Sequence, residues 1–310
     1  MNRIPRKGLL IAACAVAGLA LWFWANLEVI PKPTAFTPSP PGPTSPDPEG
    51  PEPSIGPAEA DAAGRKRDDN GLRIGFRYCP PGSFQAGKGP RATRIVLDRG
   101  FWIGEAEVTQ SQWQAVMGTT LRQQRAKDPG QPRPVGDGSM REHVGEGPDH
   151  PIYFVSQPEA QEFCRRLTGT ERASGRLAPG LEFRLPTEAQ WEYACRAGTT
   201  TATAFGDRLG GDDANIDGTK PYGGAKPGPY VKETTPAGRY RANAWGVQDM
   251  HGNVWEWCGD STGGEARPAA RGGCWHNSGV QCLSTSRFES DPDTRGSGLG
   301  FRVALVVAKS

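Results

Sequence analysis

GVQDMHGNVWEWCGDS, Gly246 to Ser261, is the stretch from which the rest of the sequence is read. Trp255 and Trp257 flank Glu256 with a period of two, which predicts a short strand. The corner His251-Gly252-Asn253 before it predicts a turn, and the crowding of Gly246, Gly252 and Asn253 excludes an amphipathic helix. Two carboxylates, Asp249 and Glu256, stand on either side of that turn. Calcium accepts carboxylates and backbone carbonyls at irregular spacing, so the pair could place hard oxygens on one cation. A buried tryptophan strand with surface carboxylates is the competing reading, and spacing alone favours it, because the stretch is not a defined calcium-loop motif.

Outward from this stretch, composition sets the frame. The chain has 310 residues, 42 of them glycine and 29 proline, which predicts linker, loop-rich domain or both. A formal charge of +2 gives no electrostatic case for a nucleic-acid partner. Arg3, Arg6 and Lys7 precede the uncharged run Gly8 to Leu27, which carries Trp22-Phe23-Trp24 near its end. That run is about long enough to span a bilayer, and its basic flank keeps the N-terminus cytoplasmic and exports the remainder of the chain. Residues 1–30 are therefore expected to be a transmembrane signal-anchor, with the globular part in the periplasm or at the cell surface. A cleaved signal peptide is the alternative, but no small-x-small site comes after the run. Ile11-Ala12-Ala13-Cys14 resembles a bacterial lipoprotein box, yet the apolar run continues well past Cys14. Residues 31–67 are dense in Pro, Ser, Thr, Glu and Gly and are expected to be a disordered stalk.

Residues 68–310 read as one globular domain. Ile74 to Tyr78, Ile95 to Leu97 and Phe101 to Ile103 are expected strands. Three capping boxes announce helices: Thr109 with Gln112, Ser156 with Glu159, and Thr187 with Gln190. The first helix should bury Trp113, Val116 and Met117, the second Ala160, Phe163, Cys164 and Leu167, the third Trp191 and Ala194. Long Gly/Pro-rich loops lie between and after them and call for extra fixing by disulfides or a metal. His143, His150 and His251 form no spaced metal set, and His251 reads as a hydrogen-bonding turn residue.

Several stretches, taken in order, resemble one family. They are Pro80-Pro81-Gly82-Ser83-Phe84, Phe101-Trp102-Ile103-Gly104, Glu107-Val108-Thr109-Gln110, and Arg184-Leu185-Pro186-Thr187-Glu188-Ala189-Gln190-Trp191-Glu192-Tyr193. Gly252-Asn253-Val254-Trp255-Glu256-Trp257, Arg271-Gly272-Gly273 and Leu299-Gly300-Phe301-Arg302 complete the set. Together they resemble the formylglycine-generating enzyme, or sulfatase-modifying factor, family. The resemblance implies an α+β fold, loop-rich and low in regular secondary structure, related to C-type-lectin-like folds. It also implies an oxidase that converts a sulfatase cysteine to formylglycine with oxygen and copper held between two cysteines five residues apart.

Here the resemblance meets a departure. Counted from Arg271-Gly272-Gly273, Cys282 falls at the second catalytic cysteine and Asn277 at the first; Cys274 is eight residues from Cys282. The copper pair is incomplete, so Cys282 is the one candidate catalytic residue and copper is expected only if the oxidase reading holds. The resemblance also pairs Cys195 with Cys282 as a disulfide. It implies a structural calcium site from Asp249, the backbone of Gly252 and Val254, and Glu256. A second calcium site would begin at Asn215-Ile216, with its acidic ligand displaced by Pro229. The expected function is a membrane-tethered, extracytoplasmic binding or assembly module, with formylglycine-generating oxidase as the alternative. The expected partner is a protein or peptide outside the cytoplasm, a sulfatase being the one the resemblance names.

Overall fold

Five strands form the larger sheet in the computed structural model, which describes residues 63–127, 145–260 and 267–308. All of these fall in one of the chain's two units, Gly50–Ser310. The expected anchor at 1–30, and the stalk up to residue 62, lie outside the described residues. Among the described residues no helix is long and apolar enough to cross a membrane.

In the larger sheet β1 (Lys66–Arg67), β2 (Phe76–Cys79), β5 (Phe101–Gly104), β11 (Ala304–Val307) and β6 (Leu181–Arg184) lie side by side, each pair antiparallel. β1 corrects the expected boundary: Lys66 and Arg67 pair with Arg77 and Phe76, so the fold begins inside the segment assigned to the stalk. Two charged residues suit this outer strand, where charge discourages pairing with another chain. β5 is buried along its whole length because both faces of the sheet are covered. Alternation sends Trp102 to one apolar cluster and Phe101 with Ile103 to the other. β3 (Gly82–Ala86) and β4 (Thr93–Leu97) form a separate hairpin.

The helices sit on opposite faces. α1 (Gln110–Met117) and α3 (Gln157–Ala173) carry Trp113, Ala160, Phe163, Cys164 and Leu167 into the cluster that holds Trp102. Trp113 stacks on Phe163 at 5.8 Å between ring centroids, and Phe301 meets Phe163 edge-on at 5.3 Å. α4 (Glu188–Arg196) brings Trp191, Ala194 and Cys195 to the other cluster. Each of the three expected capping boxes is formed. A fourth, Thr120 with Gln123, opens the short α2 (Leu121–Ala126) and was legible as another Thr-x-x-Gln.

The smaller sheet runs β10 (Leu299–Gly300), β7 (Trp255–Trp257), β8 (Ala269–Arg271), β9 (Arg287–Glu289). β7 is the expected tryptophan strand. β10 lies parallel to it, with Gly300 opposite Glu256. Gly300 is required there: a Cβ would come within 2.4 Å of the Ile152 carbonyl oxygen. This pairing sets Arg302, two residues on, beside Glu256.

Candidate functional site

The motifs that are scattered through the sequence meet at Glu256. Arg302 Nε donates to Glu256 Oε2 and Arg302 Nη2 to Oε1, each at 2.6 Å. Trp191 Nε1 donates to Oε2 at 2.6 Å. The guanidinium also donates to the carbonyls of Gly104 at 2.9 Å and Gln248 at 3.0 Å. Arg302 and Glu256 are both completely buried. A buried ion pair holds only when its remaining donors and acceptors are satisfied, and here Trp191, Gly104 and Gln248 supply the partners.

Asn253 is the second hub. It adopts φ 59°, a left-handed conformation that Asn tolerates. Its Oδ1 accepts from Asn215 Nδ2 and from Thr235 N, both at 2.9 Å. Its Nδ2 donates to Glu107 Oε1 at 3.0 Å and to the Thr235 carbonyl at 3.3 Å. Gly252 beside it has φ 87°, and a Cβ there would lie 2.3 Å from the Asn215 carbonyl oxygen. Three buried oxygens next to this hub have no hydrogen-bond partner among the described residues: Glu107 Oε2, Asn215 Oδ1 and Thr235 Oγ1. Burial, and after it the charge of Asp249, pushes the Glu107 carboxyl well above its ordinary value. Burial likewise pushes Asp249 up to about 6, against the pull of the Gly238 N–H.

The acids of the implied calcium set, Asp249 and Glu256, both hydrogen-bond within the protein. Both oxygens of Glu256 are taken by Arg302 and Trp191. Asp249 Oδ2 accepts from Gly238 N at 2.6 Å and Oδ1 from Tyr240 N at 3.4 Å. Surface exposure of the two carboxylates, the competing reading, is overturned: Asp249 is 6% and Glu256 0% exposed. Of the second implied set, Asn215 points an unpartnered oxygen toward the interior. Ile216 packs instead in a small apolar cluster with Leu209, Ala214 and Cys282. No three His, Cys, Asp or Glu side chains among the described residues converge to hold a metal by themselves.

The cysteines depart from expectation as well. Cys195 and Cys282 are free thiols, so the implied disulfide is not formed. The two sulfurs turn to different neighbours: Cys195 Sγ donates to Ser284 Oγ at 3.5 Å and lies 3.7 Å from His251 Nε2. Cys282 Sγ instead packs against Gly273, where a Cβ would come within 2.2 Å of it. Cys282 is fully buried, and desolvation raises its thiol well above the ordinary value. Cys274 donates to Asn277 Oδ1 at 3.1 Å and lies 3.3 Å from His276 Nδ1, and burial pushes its thiol up to about 12. Asn277 thus fills the implied first catalytic position as an acceptor for Cys274. His251 is a turn residue, as expected, and also a cross-link. Its Nδ1 donates to the Cys282 carbonyl at 2.7 Å, and Ala204 N donates to its Nε2 at 3.1 Å. Burial holds the imidazole down to about 4 and therefore neutral.

The sulfatase-modifying factor enzyme 1-like domain matches residues 69–307, which takes in every motif that meets at Glu256 and Asn253. The chain belongs to this family. As a sulfatase-modifying-factor domain it is 43% identical over 112 residues to a formylglycine-generating enzyme of Mycobacterium tuberculosis, covering 35% of this chain and 32% of that protein. It is 28% identical over 257 residues to a chaperone protein LppX of Paenibacillus barcinonensis, covering 74% of this chain and 87% of that protein. The chain therefore spans about a third of the mycobacterial enzyme and most of LppX. Among solved structures, PvdO from Pseudomonas aeruginosa superposes with a TM-score of 0.62 at 23% identity, over 79% of this chain and 99% of that one. That likeness shows the fold, which is α+β, loop-rich and of the formylglycine-generating-enzyme type.

Sequence reading of this domain missed Glu107 and Thr235 as interior polar residues and Arg302 as the partner of Glu256. Glu107 and Arg302 stood inside quoted motifs, but no local spacing links residues 146 apart, as Glu107 and Asn253 are. Thr235 carried no signal of its own.

Proposed function

We propose that this chain is a membrane-tethered, extracytoplasmic binding or assembly module of the sulfatase-modifying factor family, without the oxidase chemistry. The state of the cysteines carries this reading. A copper pair needs two accessible thiolates, because the thiolate is the metal ligand. Cys274 and Cys282 are both buried, and Cys274 Sγ is engaged with Asn277 and His276. Asn277, at the position of the first catalytic cysteine, supplies a hydrogen-bond acceptor instead of a sulfur. The match to a protein named as a chaperone, over 87% of that protein's length, supports a role in handling another polypeptide. The basic residues before the apolar run Gly8 to Leu27 support the tether and the export of the domain.

The test is an oxidase assay on the full chain in detergent, loaded with Cu(I) and supplied with oxygen and a thiol reductant. The substrate is a peptide carrying the Cys-x-Pro-x-Arg sulfatase motif, with a copper-loaded active formylglycine-generating enzyme run alongside. Mass spectrometry is expected to find the peptide cysteine unchanged by this chain and converted to an aldehyde by the active enzyme. Conversion by this chain would establish the oxidase reading and overturn the module.

A further inference from the structure

β9 closes one side of the smaller sheet, and among the described residues no strand pairs with its outer side. The ladder to β8 sets Arg287 opposite Arg271, Phe288 opposite Ala270 and Glu289 opposite Ala269. Ser290 N donates to the Pro268 carbonyl at 3.2 Å, and Cys258 N to the Ala269 carbonyl at 2.9 Å. Antiparallel strands alternate hydrogen-bonded and non-hydrogen-bonded pairs, so Ala270 turns its N–H and C=O to Phe288, while Ala269 and Arg271 turn theirs to β7. The N–H and C=O of Arg287 and Glu289 therefore point outward, and no backbone group among the described residues bonds to them there. All three residues of β9 are exposed. Phe288 is the only aromatic among the exposed large hydrophobic side chains of the described residues, 39% exposed and 5.6 Å from the Trp255 ring.

An open edge with outward N–H and C=O groups is a template for pairing with another chain. Charge of one sign protects such an edge, because like charges meet when two copies pair. β9 reads Arg287-Phe288-Glu289, which reverses that effect. We infer that β9 is a self-complementary edge on which two copies of this chain pair antiparallel, about a twofold axis at Phe288. The axis sets Arg287 against the partner's Glu289, and Glu289 against the partner's Arg287. Opposite charges at such cross-strand positions attract, and so do facing aromatic rings. The backbone agrees with this register. The residues with outward groups face each other in it, so both outer pairs exchange N–H···O bonds. Phe288 meets the partner's Phe288 in the non-hydrogen-bonded pair between them, where Cα atoms approach to about 4.5 Å. Parallel pairing in register would oppose like charges instead. An isologous contact of this kind closes at two copies and does not grow. Three residues a side bury much less than the about 1,200 Å² of a standard complex, so the dimer is weak and forms at high local concentration. It does not depend on whether the domain is a module or an oxidase.

The test traps the pair at its axis. Full chain carrying Phe288→Cys is held in detergent with a mild chemical oxidant, and disulfide-linked dimer is followed on non-reducing gels. Cα atoms about 4.5 Å apart lie within disulfide range. Val96→Cys, on the β3–β4 hairpin and more exposed at 56%, controls for chance encounter within a shared micelle. Phe288→Cys should be trapped about tenfold faster than the control, because pairing raises the effective concentration of the two thiols. In the Phe288→Cys chain, Glu289→Arg makes both outer pairs Arg with Arg, and Arg287→Glu makes both Glu with Glu. Each reversal alone should slow trapping by about tenfold. Mixed together, the two variants restore opposite charges across the axis and should regain the rate. This rescue separates charge pairs between copies from the contacts of Arg287 to Glu188 and Glu289 in its own chain, which mixing does not restore. Phe288→Cys trapped no faster than the control would leave the edge to solvent or to another polypeptide and overturn the pairing. Fast trapping that ignores both charge reversals, or slowed trapping that mixing does not rescue, would mean that the copies do not meet in this register and would overturn it equally.

Discussion

Glu256 accepts two hydrogen bonds of 2.6 Å from Arg302 with neither side chain exposed, and Trp191 donates a third to the same carboxylate. Removing one member of such a pair leaves an uncompensated buried charge, which costs far more than the pair contributes. Arg302→Met preserves most of the volume and strands Glu256. Urea unfolding should show a loss of about 3–5 kcal/mol relative to the wild-type chain. A loss below about 1 kcal/mol would mean that Glu256 is protonated or hydrated and that the pair is not what joins these segments. At this scale sequence reading identified Glu256 and Asp249 as the important acids, and burial replaces the surface setting that was its competing reading. Spacing displayed two carboxylates across a turn; it did not display the guanidinium that arrives from residue 302.

Helix entries were the most legible elements. Thr109, Ser156 and Thr187 each accept from the backbone N–H three residues on, and the Gln or Glu there returns to the cap backbone. This geometry is closed within four consecutive residues, so tertiary packing does not have to be known to read it. The α4 box matters most because α4 presents Trp191 to Glu256 and packs Ala194 and Cys195 against the sheet. Thr187→Ala should lower unfolding free energy by about 1 kcal/mol, read as a shift of the urea midpoint at unchanged m-value. An unchanged midpoint would show that the Gln190 side chain and the Asp260 contact to Glu188 N suffice at this end. The strands were legible as apolar runs, but their order was not. β10 beside β7 and β11 between β5 and β6 join residues far apart in sequence.

At the scale of the whole chain, the domain and the segment before it answer to different physics. Gly8 to Leu27 carries no charge and is long enough to span a bilayer, whereas no helix among the described residues does so. Expressed in a bacterial host, the full chain should sediment with membranes through a high-salt wash, and a chain lacking residues 1–30 should stay in the supernatant. A soluble chain shortened at its N-terminus would identify the run as a cleaved leader. The sequence by itself determined the family, the apolar run, the helix entries, the tryptophan strand and the absence of the five-spaced copper cysteines. These are local patterns, fixed by residue type and short spacing. Only the tertiary structure decided that Lys66 and Arg67 belong to the sheet, that Cys195 and Cys282 stay apart, that Arg302 takes Glu256, and that Glu107, Asn215 and Thr235 gather around Asn253. Each of these depends on which distant backbones lie side by side, and burial then sets which charges and oxygens must find one another.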